Sequence, residues 1–320
     1  MAINLGIDHG NKNIKTSAGD IFPAGYKKHR EKPIGKDVLE FGGAYYTLTS
    51  NRIPFTWDKT QNEDFFILTL FAITRHLERQ TWYTPSEGSF VEVNLGVGLP
   101  PAHFGRLYEQ FQTYFRSPRN GADIQELRFH GKTHYIYLDK VYAFVQGYAA
   151  ALALPCLEEE QDLVIVDIGG MTVDYLLLHN GEPDGQNYGS LEAGIILLYN
   201  MLKEWIEGNY GLIVSDENLD QMLRGMDVLP NKPEILSHVK QVAGNFVEDI
   251  FAKLRERQID LRVLPSVIIG GGAVTLQHYL EPLEAVGQSF SLLDDVCANA
   301  RGYEKLLKAA IYQERMSGDR

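Results

Sequence analysis

The chain has 320 residues and a formal net charge of −12, with 44% hydrophobic and 22% charged residues. That composition excludes a disordered chain and allows one large core or two smaller ones, while the acidic balance excludes DNA binding through a basic face of its own. Two cysteines, Cys156 and Cys297, lack C-x-x-C spacing and fit buried thiols in a reducing compartment better than a zinc site or a disulfide.

The opening "MAINLGID" has neither a charged n-region nor a long apolar stretch, and no later segment approaches about 18 uninterrupted apolar residues, so a cytoplasmic protein without a membrane span is expected. "INLGIDHGNKNIKTSAGD" sets an apolar strand (Ile3, Leu5, Ile7) before Asp8, Gly10 and a polar turn, with Ile14 and Lys15 on a returning strand. "IFPAGYKKHREKPIG", rich in Pro and charge, reads as an exposed loop, and "VLEFGGAYYTLTSNRIPF" as two strands around a turn. "NEDFFILTLFAITRHLERQ" has an acidic start, a broad apolar stripe and a basic end, the pattern of a buried helix over about 62–79.

"FVEVNLGVGLP" follows as a strand and "PAHFGRLYEQFQTYF" as a helix entered by Pro. The segment from Ile124 predicts a hairpin around His130-Gly131-Lys132, a further strand, and a helix beginning near Gln146. After "LEEEQD" the pattern restarts. "VIVDIGGMTVDYLLL" is a second hairpin, its turn bounded by Asp167 and Asp174 and built of Gly169, Gly170, Met171 and Thr172, which offer backbone amides and a hydroxyl without bulk. A helix from about Leu191 to Glu207 and a helical, polar region up to about Arg257 come next. "VIIGGGAVTLQHYL" then places Gly270, Gly271 and Gly272 where a strand meets a helix, although neither the G-x-G-x-x-G nor the P-loop spacing is present. "ARGYEKLLKAAIYQERM" closes the chain as an amphipathic helix. Each half opens with an Asp-Gly hairpin, which argues for two similar α/β lobes facing one another.

Taken in order, Asp8-His9-Gly10-Asn11, then Asp167 to Asp174, then Ile269-Gly270-Gly271-Gly272-Ala273 resemble the phosphate 1, phosphate 2 and adenosine motifs of the actin, sugar kinase and heat-shock chaperone superfamily. Within it the whole chain is most similar to the actin-like proteins of bacterial plasmid segregation, the ParM/StbA type. The resemblance implies a two-lobed, ribonuclease H-like α/β fold with ATP, or GTP, and Mg2+ in the cleft. It implies a first lobe over 1–157 with the helix of about 300–320 packing back on it, a second over 158–299, and an outer subdomain over about 205–257 that carries the adenine pocket.

By position it makes Asp8, Asp167 and Gln146 the catalytic residues. The two carboxylates face the metal through water, and Gln146 orients the attacking water. Gly10, Asn11, Lys12, Asn13 and Lys15 belong to the first phosphate hairpin; Gly169, Gly170, Met171 and Thr172 cradle the γ-phosphate. Gly194 lies near the sugar, and Gly270, Gly271, Gly272 and Ala273 near the adenosine. Lys12, and to a lesser degree Lys15, also reads as a solvated strand charge, Asp174 as a residue that pins its hairpin, and His9 as a surface residue.

The function implied is an ATPase that polymerises, whose filament is coupled to plasmid DNA by a DNA-binding adaptor at a centromere, with no direct DNA contact and no membrane. A small-molecule kinase of the same fold stays open, although no base Asp with a sugar-binding loop is recognisable. So do a non-polymerising nucleotide-gated switch and a cell-shape or archaeal-type actin.

Overall fold

The computed structural model describes residues 2–86, 88–152, 162–229, 232–281 and 290–318. Two compact units divide the chain: Met1–Ala153 with Cys297–Arg320, and Leu154–Val296. The expected lobe boundary at 157/158 and Cys156 lie outside the described residues; Cys297 is a buried thiol that forms no disulfide among the described residues.

The first unit is built on a nine-stranded sheet. Its strands are β1 (Ala2–His9), β2 (Asn13–Thr16), β3 (Ile21–Pro23), β4 (Tyr26–His29), β5 (Val38–Phe41), β6 (Ala44–Leu48), β7 (Val91–Leu99), β8 (Ile124–Phe129) and β9 (Lys132–Val145), in the spatial order β3-β2-β1-β7-β9-β8-β5-β6-β4. Its helices are α1 (Asp64–Glu78), α2 (Pro101–Arg116), α3 (Tyr148–Ala151) and α8 (Ala298–Gly318). The apolar run in α1 buries Phe65 through Thr74 and Leu77, as a helix apolar on nearly every side must.

Three expectations change here. The segment read as a loop over 21–35 contains β3 and β4, which are the two edges of the sheet; edge strands carry charge such as Lys27 and Lys28, and charge hid the strand pattern. The hairpin's returning strand and the further strand expected after it are one strand, β9, which runs through Asp139-Lys140. The register against β7 shifts between Val93 and Leu95, so the polar pair is absorbed as a bulge, and Asn94 Oδ1 accepts from the Lys140 amide at 3.2 Å. The helix expected near Gln146 starts at Tyr148, because Gly147 has φ +85° and the Gln146 amide continues the sheet onto the Leu99 carbonyl at 2.9 Å.

Helix α8 packs on β1 and β7 through their glycines: a Cβ on Gly6 would overlap the Ala300 carbonyl, and one on Gly96 would stand 2.6 Å from the Tyr303 carbonyl. Only strands without side chains at these positions let a helix come so close.

The second unit has a five-stranded sheet of β10 (Leu163–Ile168), β11 (Val173–His179), β12 (Glu182–Leu191), β13 (Ser266–Ile269) and β14 (Phe290–Leu292), ordered β12-β11-β10-β13-β14. Around it lie α4 (Ile195–Tyr210), α5 (Asp216–Leu223), α6 (Pro233–Glu256) and α7 (Gly271–Leu280). The helix expected from Leu191 begins at Ile195, and Leu191 instead ends β12. That strand is polar and, among the described residues, pairs only with β11, so it shows no buried alternation.

Both units repeat one design. Three antiparallel strands (β3-β2-β1 and β12-β11-β10) are extended by two parallel ones (β7-β9 and β13-β14). The expectation of two similar α/β lobes holds.

Candidate functional site

The repeat places the acidic residues at equivalent points. Asp8 is the next-to-last residue of β1 and pairs with Lys15 across the hairpin; Asp167 is the next-to-last residue of β10 and pairs with Asp174. In parallel α/β sheets ligands gather beyond the carboxyl ends of the strands, and both residues stand there.

In the first hairpin Asp8 is buried and Lys15 Nζ donates to its Oδ2 at 3.0 Å. The lysine expected to reach a phosphate is thus held beside the turn by the neighbouring carboxylate. Gly10, Asn11, Lys12 and Asn13 are half-buried; a Cβ on Gly10 would come 2.7 Å from the Asn13 carbonyl, so the turn closes on itself. The Lys12 carbonyl accepts from Ala24 at 3.0 Å, which ties the turn to the chain after β3. Gln146 follows β9, two strands from β1 and at the same carboxyl edge, so about 10 Å separates its strand end from that of Asp8. The Gly147 amide donates to Asn299 Oδ1 at 2.9 Å, fixing this corner onto α8.

His9 overturns the surface reading. It is 1% exposed, stacks on Phe115 and meets Phe65 and Phe111 edge-on. Its Nε2 lies 2.7 Å from Thr69 Oγ1, and the single Thr69 proton is given to the Phe65 carbonyl at 2.7 Å. Thr69 can therefore only accept, which fixes the ring as the neutral Nε2–H tautomer. Burial, helped by the charge of Lys59, holds its pKa well below the ordinary value. The alternation of β1 already assigns His9 to the inward face with Ile7 and Leu5. An imidazole was read as polar, and that masked the signal.

The second hairpin is positioned by α4. The amides of Gly194, Ile195 and Ile196 donate to the carbonyls of Met171, Gly169 and Gly170 at 3.0, 3.1 and 2.9 Å. No peptide in the described chain is cis, and in a trans peptide C=O and N–H point in opposite directions. With the carbonyls of 169, 170 and 171 turned into the helix, the amides of Gly170, Met171 and Thr172 are directed away from it. None of these three donates to a backbone carbonyl among the described residues. Three successive outward amides form a concavity suited to an anion. Gly194, expected near the sugar, also lies directly under the turn: a Cβ there would overlap the Gly170 carbonyl and Met171.

Around this turn Thr172 Oγ1 donates to Asp174 Oδ2 at 3.3 Å and Ser190 Oγ donates to Asp174 Oδ1. Asp174 of β11 thus holds both the turn and β12, and the Thr172 hydroxyl is turned toward it. The glycine run completes the edge. Gly270 has φ +99°, and a Cβ on it would overlap Asp167 Oδ1 and stand 2.6 Å from the Ile168 carbonyl. Gly272 and Ala273 are buried in α7, where Thr275 Oγ1 donates to the Gly271 carbonyl at 3.1 Å. Ala273 faces the core of its unit and not its surface. Among the described residues no three His, Cys, Asp or Glu side chains gather as a metal-ligand set.

Two family profiles match the chain, the N-terminal domain of actin-like proteins over residues 6–148 and the C-terminal domain of MreB-like archaeal actin homologues over 165–282. The chain belongs to the actin-like proteins. Its fold is shared by the actin-like protein Alp7A (TM-score 0.77, 15% identity, covering 100% of this chain and 99% of that one). The archaeal actin homologue Ta0583 gives a TM-score of 0.71 at 19% identity over 96% of this chain and 99% of its own, and has also been solved in complex with ADP. A 15-stranded ParM filament from Clostridium botulinum gives 0.71 at 17% identity over 96% and 99%. No curated protein sequence matches. In this actin-like protein no helix among the described residues is long and apolar enough to cross a membrane.

Proposed function

We propose that this actin-like protein binds ATP with Mg2+, polymerises in the nucleotide-bound state, and hydrolyses the nucleotide to time disassembly, in the service of plasmid DNA segregation. The observation that carries the reading is the set of three outward amides at Gly170, Met171 and Thr172, beside Asp167 at the carboxyl edge of its sheet. Support for ATP in particular comes from the ADP complex of Ta0583, and support for self-association from the ParM filament.

Phosphoanhydride hydrolysis asks a protein for position and charge stabilisation and for no covalent nucleophile. In this reading the 170–172 amides accept the charge that develops on the γ-phosphate, and they need no reorganisation because α4 has already oriented them. Lys15, held by Asp8, adds positive charge at the first hairpin, where the Gly10–Asn13 turn receives the neighbouring phosphate. Gly270 and Gly271 keep the adenosine side free of bulk. Gln146 holds the water in line; an amide is no base, so the intrinsic rate is slow and responds to assembly. Asp8 in the first unit and Asp167 in the second are oxygen donors of the hard kind that Mg2+ prefers, and either would hold the ion through its water shell. When bound, that ion neutralises phosphate charge. The net charge of −12 leaves DNA contact to a basic adaptor.

Right-angle light scattering with magnesium and ATP, with phosphate release followed in the same cuvette, tests this directly. Scattering that rises only with nucleotide and decays as phosphate appears, and that D167A abolishes, is expected. Hydrolysis with flat scattering at high protein concentration would replace the filament with a kinase or switch of the same fold.

A further inference from the structure

Lys59 lies in the 15-residue connection between β6 and α1 (residues 49–63), a segment with no motif, yet it is only 8% exposed. Its Nζ donates to the His9 carbonyl at 2.6 Å and sits 5.2 Å from the centre of the Phe65 ring. A buried ammonium is costly, and here it lies directly behind the turn that follows Asp8. The His9 carbonyl and the Gly10 amide belong to one trans peptide, so a carbonyl drawn toward Lys59 sends the Gly10 N–H the opposite way. If that peptide flipped, an acceptor would replace a donor at the turn.

The same connection carries an aromatic surface. Phe55 and Trp57 are 39% and 43% exposed, Trp57 packs on His103 of α2 with ring centres 4.9 Å apart, and together with Arg106 they border an open cleft of about 550 Å³. The segment is stiff between these points. Asp58 Oδ1 accepts from the amide and hydroxyl of Thr60 at 2.9 and 2.6 Å, while its Oδ2 accepts from Gln110 of α2 at 3.2 Å. A single residue, Asp58, therefore separates an exposed indole from an ammonium seated on the first phosphate hairpin.

We propose that Lys59 is a positioning residue that fixes the His9–Gly10 peptide and couples occupancy of the first hairpin to the 49–63 connection and its Trp57 surface. This rests on the reading that the hairpin takes a nucleotide phosphate. A hydrogen bond from a charged group is strong enough that its loss weakens phosphate binding about tenfold or more.

The test uses the full chain with Trp82→Phe and Trp205→Phe, so that Trp57 is the only indole. Adenylyl imidodiphosphate with magnesium is titrated at protein concentrations where scattering stays flat, and binding is measured by calorimetry alongside Trp57 emission. The expected result is a Trp57 emission change in the Lys59 protein, and in K59M binding about tenfold weaker with the emission change lost at saturation. Binding in both proteins with the same emission change, or with none in the Lys59 protein, overturns the coupling and leaves the nucleotide reading standing. No calorimetric binding by the Lys59 protein overturns both. Should K59M not fold, acrylamide quenching of Trp57 in the Lys59 protein decides: a twofold change on adding the nucleotide supports the coupling, and an unchanged quenching constant overturns it.

Discussion

Replacing Gly194 by Ala tests how the second hairpin is held, and Gly208 on the same helix supplies the control. At Gly194 the backbone angles (φ −74°, ψ 165°) suit any residue, so no conformational strain enters. The new Cβ instead overlaps the Gly170 carbonyl and Met171, so the turn must lift from α4. Lifting weakens three hydrogen bonds, those of the Gly194, Ile195 and Ile196 amides at 3.0, 3.1 and 2.9 Å. Overpacking costs about 1–3 kcal/mol and each weakened bond a fraction of about 1 kcal/mol, so a total near 2–4 kcal/mol is expected. For a unit of this size that lowers Tm by roughly 4–16 °C. Gly208 is exposed and a Cβ there meets nothing, so G208A gains up to about 1 kcal/mol of helix propensity. Calorimetric melts with and without ATP and magnesium measure both effects. Because the same movement turns the 170–172 amides, G194A should lose most of the upward shift in Tm expected of the parent protein with ATP, while G208A keeps it. A G194A protein that melts early but retains the full ATP shift would refute the claim that α4 orients the phosphate-binding amides.

Gly270→Ala acts on the same edge from the other side. With φ +99° and Asp167 Oδ1 in the way, it should cost about 1–3 kcal/mol of strain and cut phosphate release at least tenfold; urea unfolding and a phosphate assay measure the two separately. Stability should also fall at both ends of the pH range. His130 places Nδ1 2.6 Å from Glu78 and Nε2 2.6 Å from Asp37, so both nitrogens must donate and the ring is charged. Burial alone would lower its pKa, yet the hydrogen bonds and charges of Asp37 and Glu78 raise it. A raised folded pKa means that its contribution is complete below the ordinary value near 6.5 and is lost as pH rises through the folded value. His9 acts in the opposite sense: its stabilisation is present above about 6.5 and is lost as pH falls toward its depressed folded value. Urea midpoints across the range should decline on both sides, and H130N should flatten only the alkaline limb.

What the sequence made legible was local. Strand, Asp, glycine turn and returning strand are consecutive, so both hairpins and the glycine run could be located from periodicity and from the freedom glycine gives a turn. β7, α1 and α2 were equally plain because each carries an unbroken apolar period. Edge strands β3, β4 and β12 were missed since a strand with one neighbour needs no buried alternation, and the middle of β9 was misread because a bulge can hide a polar pair. His9 and Lys59 failed for a different reason. Their partners, Thr69 for one and the His9 carbonyl for the other, stand 60 and 50 residues away, and nothing in a single stretch marks such a pair.

The same distinction separates what each hairpin can do from what its residue types suggest. Read as side chains, the second hairpin offered the Thr172 hydroxyl; in the fold that hydroxyl turns to Asp174, and the donors are the amides behind it. Read as side chains, the first offered Lys15; in the fold Asp8 holds it. At both turns the direction of the backbone is set from outside, by three α4 amides in one unit and by the Lys59 ammonium in the other. Anion binding by amides depends on peptide orientation and not on residue identity. The chain shares the fold of Alp7A at 15% identity, and the orientation of its 169–171 carbonyls is set by the backbone amides of 194–196, which any sequence at those positions other than proline can supply.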